Sequence, residues 1–235
     1  MTKKETPIYE VIGEKYAEIV ENSPYNAYYE RPAMLDLIGD VSGLRVLDIG
    51  CGSGAYAQIL LNKGALEIIA LDNSKKMMEF FRKRLGDRVK TYVADVSERM
   101  DFLHNDYFDL IVCPLVLHYV KDWDFVFSEF AKKIKTNGRL VFSTAHPYND
   151  FNQSISKDYF QVELIEEYWE SFDMNIKTYR RSMTSILDVL KKNGFRIIDI
   201  IEPQPIAELK IINPQTFDKL SKEPTFICFD LLKIS

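Results

Sequence analysis

No apolar run in this sequence is long enough to cross a membrane. The longest one, residues 110–117, is far shorter than the roughly 20 residues that span a bilayer. The N-terminal residues MTKKETPIYE contain no apolar stretch of the kind found in a signal peptide. We therefore expect a soluble, cytoplasmic protein that has no membrane partner.

Cysteine is scarce, and the spacing of the cysteines argues against both a disulfide-rich protein and a zinc-binding protein. The three cysteines, Cys51, Cys113 and Cys228, are far apart in the chain, and none belongs to a Cys-x-x-Cys pair or has a histidine at ligand spacing. Neither a disulfide framework nor a zinc site is indicated. The sequence thus predicts no metal site and a reducing compartment.

An excess of positive charge is also absent. The 235 residues carry a net charge of −5, and the isoelectric point is near 5.4. Basic pairs such as Lys75-Lys76 and Arg180-Arg181 lie in segments with helical periodicity, which is typical of solvated helix faces. The sequence therefore predicts no nucleic-acid partner, and it leaves open whether the protein is a monomer or a homodimer.

Apolar periodicity instead predicts a doubly wound α/β fold in one domain, residues 1–235. Short β-branched runs alternate with amphipathic stretches, a pattern typical of a parallel sheet with helices on both faces. The seven predicted strands are 45–49, 67–71, 89–94, 108–113, 139–144, 195–202 and 225–233. The predicted helices are 8–21, a short one from Pro32 through Ile38, then 54–62, 74–85, 122–136 and 183–193.

This pattern divides the domain into four segments. Residues 1–43 precede the first strand and form a predicted helical lid, and residues 44–146 contain the alternating core. Residues 147–181 interrupt the alternation and are rich in aromatic side chains, which indicates a small inserted cap. Residues 182–235 supply a helix and the last two strands, joined by a proline-rich loop.

A glycine-rich turn follows the first predicted strand. Gly50, Gly52 and Gly54 let the backbone turn sharply and let a ligand approach without Cβ atoms in the way. Gly50, Gly52 and Ala55 also satisfy the dinucleotide fingerprint G-x-G-x-x-G/A, so this turn alone does not separate two classes of cofactor.

Two acids follow the next two strands, Asp72 after the second and Asp95 after the third. Doubly wound sheets bind ligands at the carboxyl ends of their strands, so both side chains are expected beside the glycine turn. The Asp72 carboxylate is suited to accept hydrogen bonds from ribose hydroxyls, and Asp95 is positioned to accept one from an exocyclic amine such as adenine N6.

Together these residues resemble the class I S-adenosylmethionine-dependent methyltransferases. The segment 48–54 is similar to their first motif, Asp72 to their ribose-binding acid, and Asp95 to their adenine-binding acid. The segment 108–120 is similar to their fourth strand and following turn, whereas residues 135–140 depart from their usual turn before strand five.

The resemblance implies a Rossmann-like, mostly parallel sheet of seven strands whose last strand is antiparallel. It also implies S-adenosyl-L-methionine as cofactor, S-adenosyl-L-homocysteine as product, and methyl transfer to a small-molecule acceptor at oxygen, nitrogen or carbon. The predicted cofactor-binding residues are Tyr28, Asp48, Gly50, Cys51, Gly52, Asp72, Asn73, Met77, Asp95, Val96, Leu115 and His118.

Methyl transfer from a sulfonium is an in-line displacement that depends on geometry and on a dry pocket, and it needs a base only for a protonated acceptor. His146, after the fifth strand, is the predicted general base for a hydroxyl or acidic carbon acceptor. Tyr119, Tyr148 and Trp169 are the predicted acceptor contacts. A candidate lid over the cofactor consists of Tyr25, Tyr28, Tyr29 and Arg31.

Two alternatives stay open at this point. A nicotinamide-dependent oxidoreductase of the short-chain type fits poorly, because none of the thirteen tyrosines has a lysine four residues later and some 43 residues precede the first strand. A non-catalytic module that binds S-adenosylmethionine would keep the same glycine turn and acids, and only turnover would distinguish it from an enzyme.

Overall fold

The structure, a computed structural model, describes residues 6–234; the predicted segments extend beyond it at both ends. Its helices are α1 (Ile8–Ile19), α2 (Arg31–Ile38), α3 (Ala55–Asn62), α4 (Lys75–Leu85), α5 (Trp123–Lys133), α6 (Pro147–Phe151), α7 (Met183–Lys192), α8 (Ala207–Ile212) and α9 (Pro214–Leu220). Its strands are β1 (Arg45–Ile49), β2 (Glu67–Asp72), β3 (Lys90–Val93), β4 (Phe108–Pro114), β5 (Ile134–Ala145), β6 (Glu163–Trp169), β7 (Met174–Arg180), β8 (Phe195–Ile201) and β9 (Phe226–Lys233). A π-helical turn, Asn26–Glu30, leads into α2.

Seven strands form the main sheet in the order β3-β2-β1-β4-β5-β9-β8. All neighbouring pairs up to β5 are parallel, and β9 pairs antiparallel with both β5 and β8. The strand order reverses between β1 and β4, which creates a switch point where their carboxyl ends open a crevice. The predicted doubly wound sheet with an antiparallel last strand is confirmed.

Helices cover both faces of the sheet because its strands are apolar on both sides. Val46 of β1 packs into a buried cluster with α2, α3 and α4, whereas its neighbour Leu47 packs on the opposite face with α5 and α7. The alternation follows from the two-residue period of a strand. Gly54 lets α3 begin close to α4, because its φ is 88° and a Cβ there would lie 2.9 Å from Phe81 Cδ2.

The cap consists of α6 and an antiparallel hairpin, β6–β7, that is separate from the main sheet. Arg180, 2% exposed, ties the hairpin to the preceding loop. Its guanidinium contacts the Glu163 carboxylate at 2.7 Å and donates to the backbone oxygen of Asp158. The cap therefore has its own polar anchor.

Two predicted boundaries are wrong. The helix expected over 122–136 ends at Lys133, because Ile134 already pairs with Phe108 as the start of β5. The proline-rich loop contains two short helices: Pro214 occupies the first turn of α9, where its missing N–H costs nothing, and the Asn213 side chain accepts a hydrogen bond from Thr216 N. No helix within residues 6–234 is long and apolar enough to cross a membrane.

Candidate active site

A cavity of about 670 Å³ opens at the carboxyl ends of β1, β2 and β4, a size common for small-molecule sites. The glycine turn and the strand ends form its floor, while α1, the π-helical turn and β7 cover it. The structure brings together these predicted site residues in its wall: Gly50, Cys51, Gly52, Asp72, Asn73, Met77, Asp95, Val96, Leu115 and Tyr119.

Two glycines of the turn are required for different reasons. Gly50 has a φ of 65°, and a Cβ there would lie 2.1 Å from Val116 Cγ2, so the turn packs directly on the segment after β4. Gly52, with a φ of 51°, lines the cavity, and the space that its Cβ would occupy is open within 4 Å. The turn therefore offers bare backbone to a ligand.

Asp72 also belongs to the floor of the cavity, and its carboxylate shapes the glycine turn. Its Oδ2 accepts a hydrogen bond from Gly52 N at 3.0 Å, and its Oδ1 accepts one from Ser74 N at 2.8 Å. Burial raises its pKa to about 6, against the lowering effect of those two bonds. The carboxyl is therefore mostly ionised at pH 7 and available as an acceptor.

Asp48 lies beneath the turn and outside the cavity, contrary to the expectation of direct cofactor contact. It is fully buried, and neither carboxylate oxygen has a hydrogen-bond partner among residues 6–234. Burial, and next the charge of Asp72, raise its pKa to about 7.

Asp95 and Val96 line the cavity just beyond β3. The Asp95 Oδ1 accepts hydrogen bonds from Ser97 N at 2.9 Å and from Ser97 Oγ at 2.6 Å. These two bonds fix the turn after β3 with its carboxylate beside the cavity. Both predicted acids thus lie at the same site, on successive strand ends.

The lid helix α1 contributes two residues to a three-tyrosine cluster, defined as Tyr9, Tyr16 and Tyr119. The Tyr9 and Tyr119 hydroxyls are 3.0 Å apart, and the Tyr9 and Tyr16 ring centroids are 4.7 Å apart. Burial raises the pKa of all three phenols, that of Tyr16 to about 12. The cluster therefore presents neutral hydroxyls and aromatic edges to the cavity.

The π-helical turn places Glu30 and Arg31 in the cavity wall. The Arg31 side chain is 12% exposed, its Nη1 lies 3.9 Å from a Glu21 carboxylate oxygen, and its Nε has no hydrogen-bond partner among residues 6–234. Glu30 is 1% exposed. An acidic side chain, Glu30, and a basic one, Arg31, thus lie next to each other in the chain at the cavity wall.

The structure places His146 outside the cavity, so its position does not support the predicted general-base role. His146 caps α6: its Nδ1 accepts a hydrogen bond from Tyr148 N at 3.1 Å. The other nitrogen, Nε2, therefore carries the proton and donates to a Glu202 carboxylate oxygen at 3.0 Å. Both ring nitrogens are engaged away from the cavity.

Four further predicted contacts also lie outside the cavity. His118 is buried, and burial lowers its pKa to about 3. Tyr28 accepts a hydrogen bond from Ile206 N through its backbone oxygen and packs beside the α8–α9 segment. Tyr148 is 63% exposed, and Trp169 packs on Phe172 at the hairpin end.

The sequence reasoning missed Tyr9, Glu30 and the β7 residues of the cavity wall. Tyr9 and Tyr16 are seven residues apart, so two helical turns place them on one face of α1, and that spacing was the available signal. The β7 residues Asn175, Ile176, Lys177 and Tyr179 line the cavity only because the hairpin folds back over it. No sequence spacing indicates such a return.

Residues 47–142 match the family model described as a methyltransferase domain. An uncharacterized protein of Haemophilus influenzae is 28% identical over 230 residues, covering 89% of each chain. A demethylmenaquinone methyltransferase of Thermotoga maritima is 28% identical over 71% of this chain and 76% of its own length. A ubiquinone biosynthesis O-methyltransferase of Photobacterium profundum is 31% identical, but the match spans about half of either chain, 46% and 47%.

The fold is shared with a solved S-adenosylmethionine-dependent methyltransferase from Mesorhizobium loti. The TM-score is 0.75 and the sequence identity 24%, over 91% of this chain and 99% of that one. The matched segment and the shared fold both support the predicted class, the class I S-adenosylmethionine-dependent methyltransferases. The cofactor of that class is S-adenosylmethionine.

Proposed function

We propose that the cavity receives S-adenosylmethionine on its floor and a small-molecule acceptor under the lid, and that the methyl group passes between them inside the cavity. The observation that carries the proposal is one continuous cavity that is lined by the glycine turn and strand ends on one side and by α1 and β7 on the other. Its volume of about 670 Å³ suits a small acceptor beside the cofactor.

The floor residues fit the cofactor. The open space at Gly52 admits a ligand against bare backbone, and Asp72 supplies a mostly ionised acceptor for ribose hydroxyls. Asp95 supplies the carboxylate expected to accept from the adenine amine. Arg31, with its unpartnered Nε, would pair with the methionine carboxylate. When bound, the cofactor supplies an electrophilic methyl group on a sulfonium.

The chain contributes positioning of the acceptor, and neither of its predicted site histidines reaches the cavity as a proton acceptor. His118, expected at the cofactor, and His146, expected at the acceptor, lie outside the cavity, and the three-tyrosine cluster stays neutral. Its hydroxyls can orient an acceptor by hydrogen bonding, and its rings can pack on an apolar one. A relative named demethylmenaquinone methyltransferase makes quinol-like aromatic acceptors the first to test.

Calorimetric titration and a transfer assay test the proposal. We expect S-adenosylhomocysteine to bind in a one-to-one ratio and NAD not to bind. Isotope-labelled S-adenosylmethionine is then incubated with separate panels of quinols, phenols, amines and thiols, and labelled product is sought by mass spectrometry. Binding without transfer to any panel would favour a non-catalytic module, and NAD binding alone would contradict the assignment of the floor.

A further inference from the structure

The cavity wall contains a hydrogen-bond relay that joins the lid segment to the core. The Glu30 Oε2 accepts a hydrogen bond from the Tyr56 hydroxyl at 2.9 Å, and the Glu30 Oε1 accepts one from Ser143 Oγ at 2.5 Å. Ser143 Oγ in turn accepts a hydrogen bond from Leu115 N at 3.0 Å. One carboxylate therefore connects the π-helical turn with α3, β5 and the end of β4.

Leu115, where the relay ends, has an unusual backbone. Its φ is 53°, a left-handed conformation that a non-glycine residue adopts only at a cost, and such residues persist where their surroundings hold them. Leu115 N also donates to the backbone oxygen of Ser143 at 3.1 Å. Because Leu115 lines the cavity, the relay fixes the shape of the wall at that point.

The direction of the relay follows from counting protons. The Ser143 hydroxyl has one hydrogen, and because its oxygen accepts from Leu115 N, that hydrogen is donated to Glu30. Tyr56 donates to the other oxygen, so both oxygens of Glu30 accept when its carboxyl group is ionised. An amide at position 30 would replace one of these acceptor oxygens with an NH₂ donor. One of the two donating hydroxyls would then meet a second donor instead of an acceptor.

We propose that Glu30 is a positioning residue of this methyltransferase: through Ser143 it holds the Leu115 backbone, and through Tyr56 the start of α3, in the shape that receives the cofactor. The proposal rests on the proposed function for its effect on binding, but its effect on Leu115 is a property of the free protein. Glu30 therefore acts on the ligand through other residues.

Two variants and one matched control test the relay. Glu30→Gln and Ser143→Ala each break it at a different point. Glu129→Gln is the control, because Glu129 is also 1% exposed and accepts from backbone Met100 N, but belongs to α5 outside the cavity wall. Thermal unfolding confirms first that each variant folds. Should Glu30→Gln fail to fold, Ser143→Ala carries the test alone.

The first readout is amide hydrogen exchange at Leu115, measured without ligand. We expect exchange there to accelerate at least about tenfold in Glu30→Gln and in Ser143→Ala, with little change at other sheet amides and none at Leu115 in the control. Unchanged exchange at Leu115 in both variants would overturn the proposal. This readout stands whether or not the wild-type protein binds S-adenosylhomocysteine.

The second readout is the dissociation constant for S-adenosylhomocysteine. We expect each variant to bind about 5- to 20-fold more weakly, and the double variant no more weakly than the worse single one, because both act through one relay. The proposal would be contradicted by wild-type affinity in both single variants. It would also be contradicted if the two losses of affinity multiplied in the double variant. Absence of binding by the wild-type protein would instead contradict the proposed function.

Discussion

Glu30 in the cavity wall and Glu163, which anchors the cap, are both held by hydrogen bonds, yet their pKa values move in opposite directions. Burial raises the pKa of Glu30 to about 7, and the hydroxyls of Ser143 and Tyr56 only partly oppose it. Burial acts upward on Glu163 as well, but hydrogen bonds from Ser156, Ser154 and Arg180 outweigh it and lower the pKa to about 2.

The difference shows what each region is built for. The cap acid has a guanidinium and several donors, so ionisation stabilises the fold there. Glu30 and Asp72 in the cavity wall have neutral hydroxyls or backbone N–H groups as partners, and Asp48, outside the cavity, has no side-chain hydrogen bond among residues 6–234, so the ionised forms of these three acids are costly. Acids with raised pKa values cluster at functional sites, which agrees with the proposed role of this cavity.

The largest expected effect is on cofactor binding by the floor acid Asp72. Asp72→Ala should weaken S-adenosylhomocysteine binding by about 1–3 kcal/mol, or about 5- to 150-fold, because ribose hydroxyls lose their ionised acceptor and Gly52 N loses its partner. Calorimetric titration measures this change.

Asp109→Asn is the matched control for that measurement. Asp109 lies near the opposite end of β4, where it accepts from Arg45 N and Lys135. Its replacement should leave the affinity unchanged. Equal weakening in the two variants would mean that Asp72 acts only on global stability, and the contrast between cavity and cap acids would lose its functional meaning.

The next effect is on stability, through Asp48. Its pKa is about 7 in the folded protein, above the ordinary value of 3.8, so its contribution to stability is complete below pH 3.8 and is lost as the pH rises through 7. Asp48→Asn removes this loss. The difference in unfolding free energy between pH 5 and pH 8 should shrink by about 1–3 kcal/mol, measured with urea. An unchanged difference would show that Asp48 is ionised without penalty.

Glu163 should give the opposite pH dependence. Its pKa of about 2 lies below the ordinary value of 4.5, so its contribution is complete above pH 4.5 and is lost as the pH falls through 2. Between pH 5 and pH 3 the unfolding temperature of Glu163→Gln should therefore fall less than that of the wild-type protein. A parallel fall in both would remove the distinction between the two regions.

The sequence predicted the half of the site that local rules determine. The glycine turn and Asp72 and Asp95 follow from strand ends and backbone freedom, and all of them lie at the cavity. The same rules predict the seven strands, since each carries its own apolar run. The misplaced residues depend on distant partners: His146 pairs with Glu202, fifty-six positions away, and no local pattern indicates that bond.

Sequence reasoning did not identify which residues of the covering segments line the cavity, and the reason is physical. Whether Tyr9 faces the cavity depends on how α1 docks on α4, where the Glu10 carboxylate accepts from Ser74 Oγ at 2.8 Å. Whether Asn175 does so depends on the return of the hairpin. Both are tertiary contacts between segments that are locally ordinary, so amphipathic spacing predicted the helix and not its partner.

The smallest expected effect is on turnover in His146→Ala, once an acceptor is known. Because Nδ1 accepts from Tyr148 N and Nε2 donates to Glu202, and because burial lowers the pKa of the ring, this imidazole is neutral and has no free lone pair for an acceptor proton. Loss of the α6 cap should cost about 1 kcal/mol of stability. Turnover should stay within about threefold of wild type between pH 6 and pH 9, against the 10²–10⁴-fold expected when a general base is removed. A larger loss of turnover, with the acidic limb of the pH profile abolished, would mean that His146 contacts the reacting atoms. In that case α6 would have to move over the cavity during catalysis.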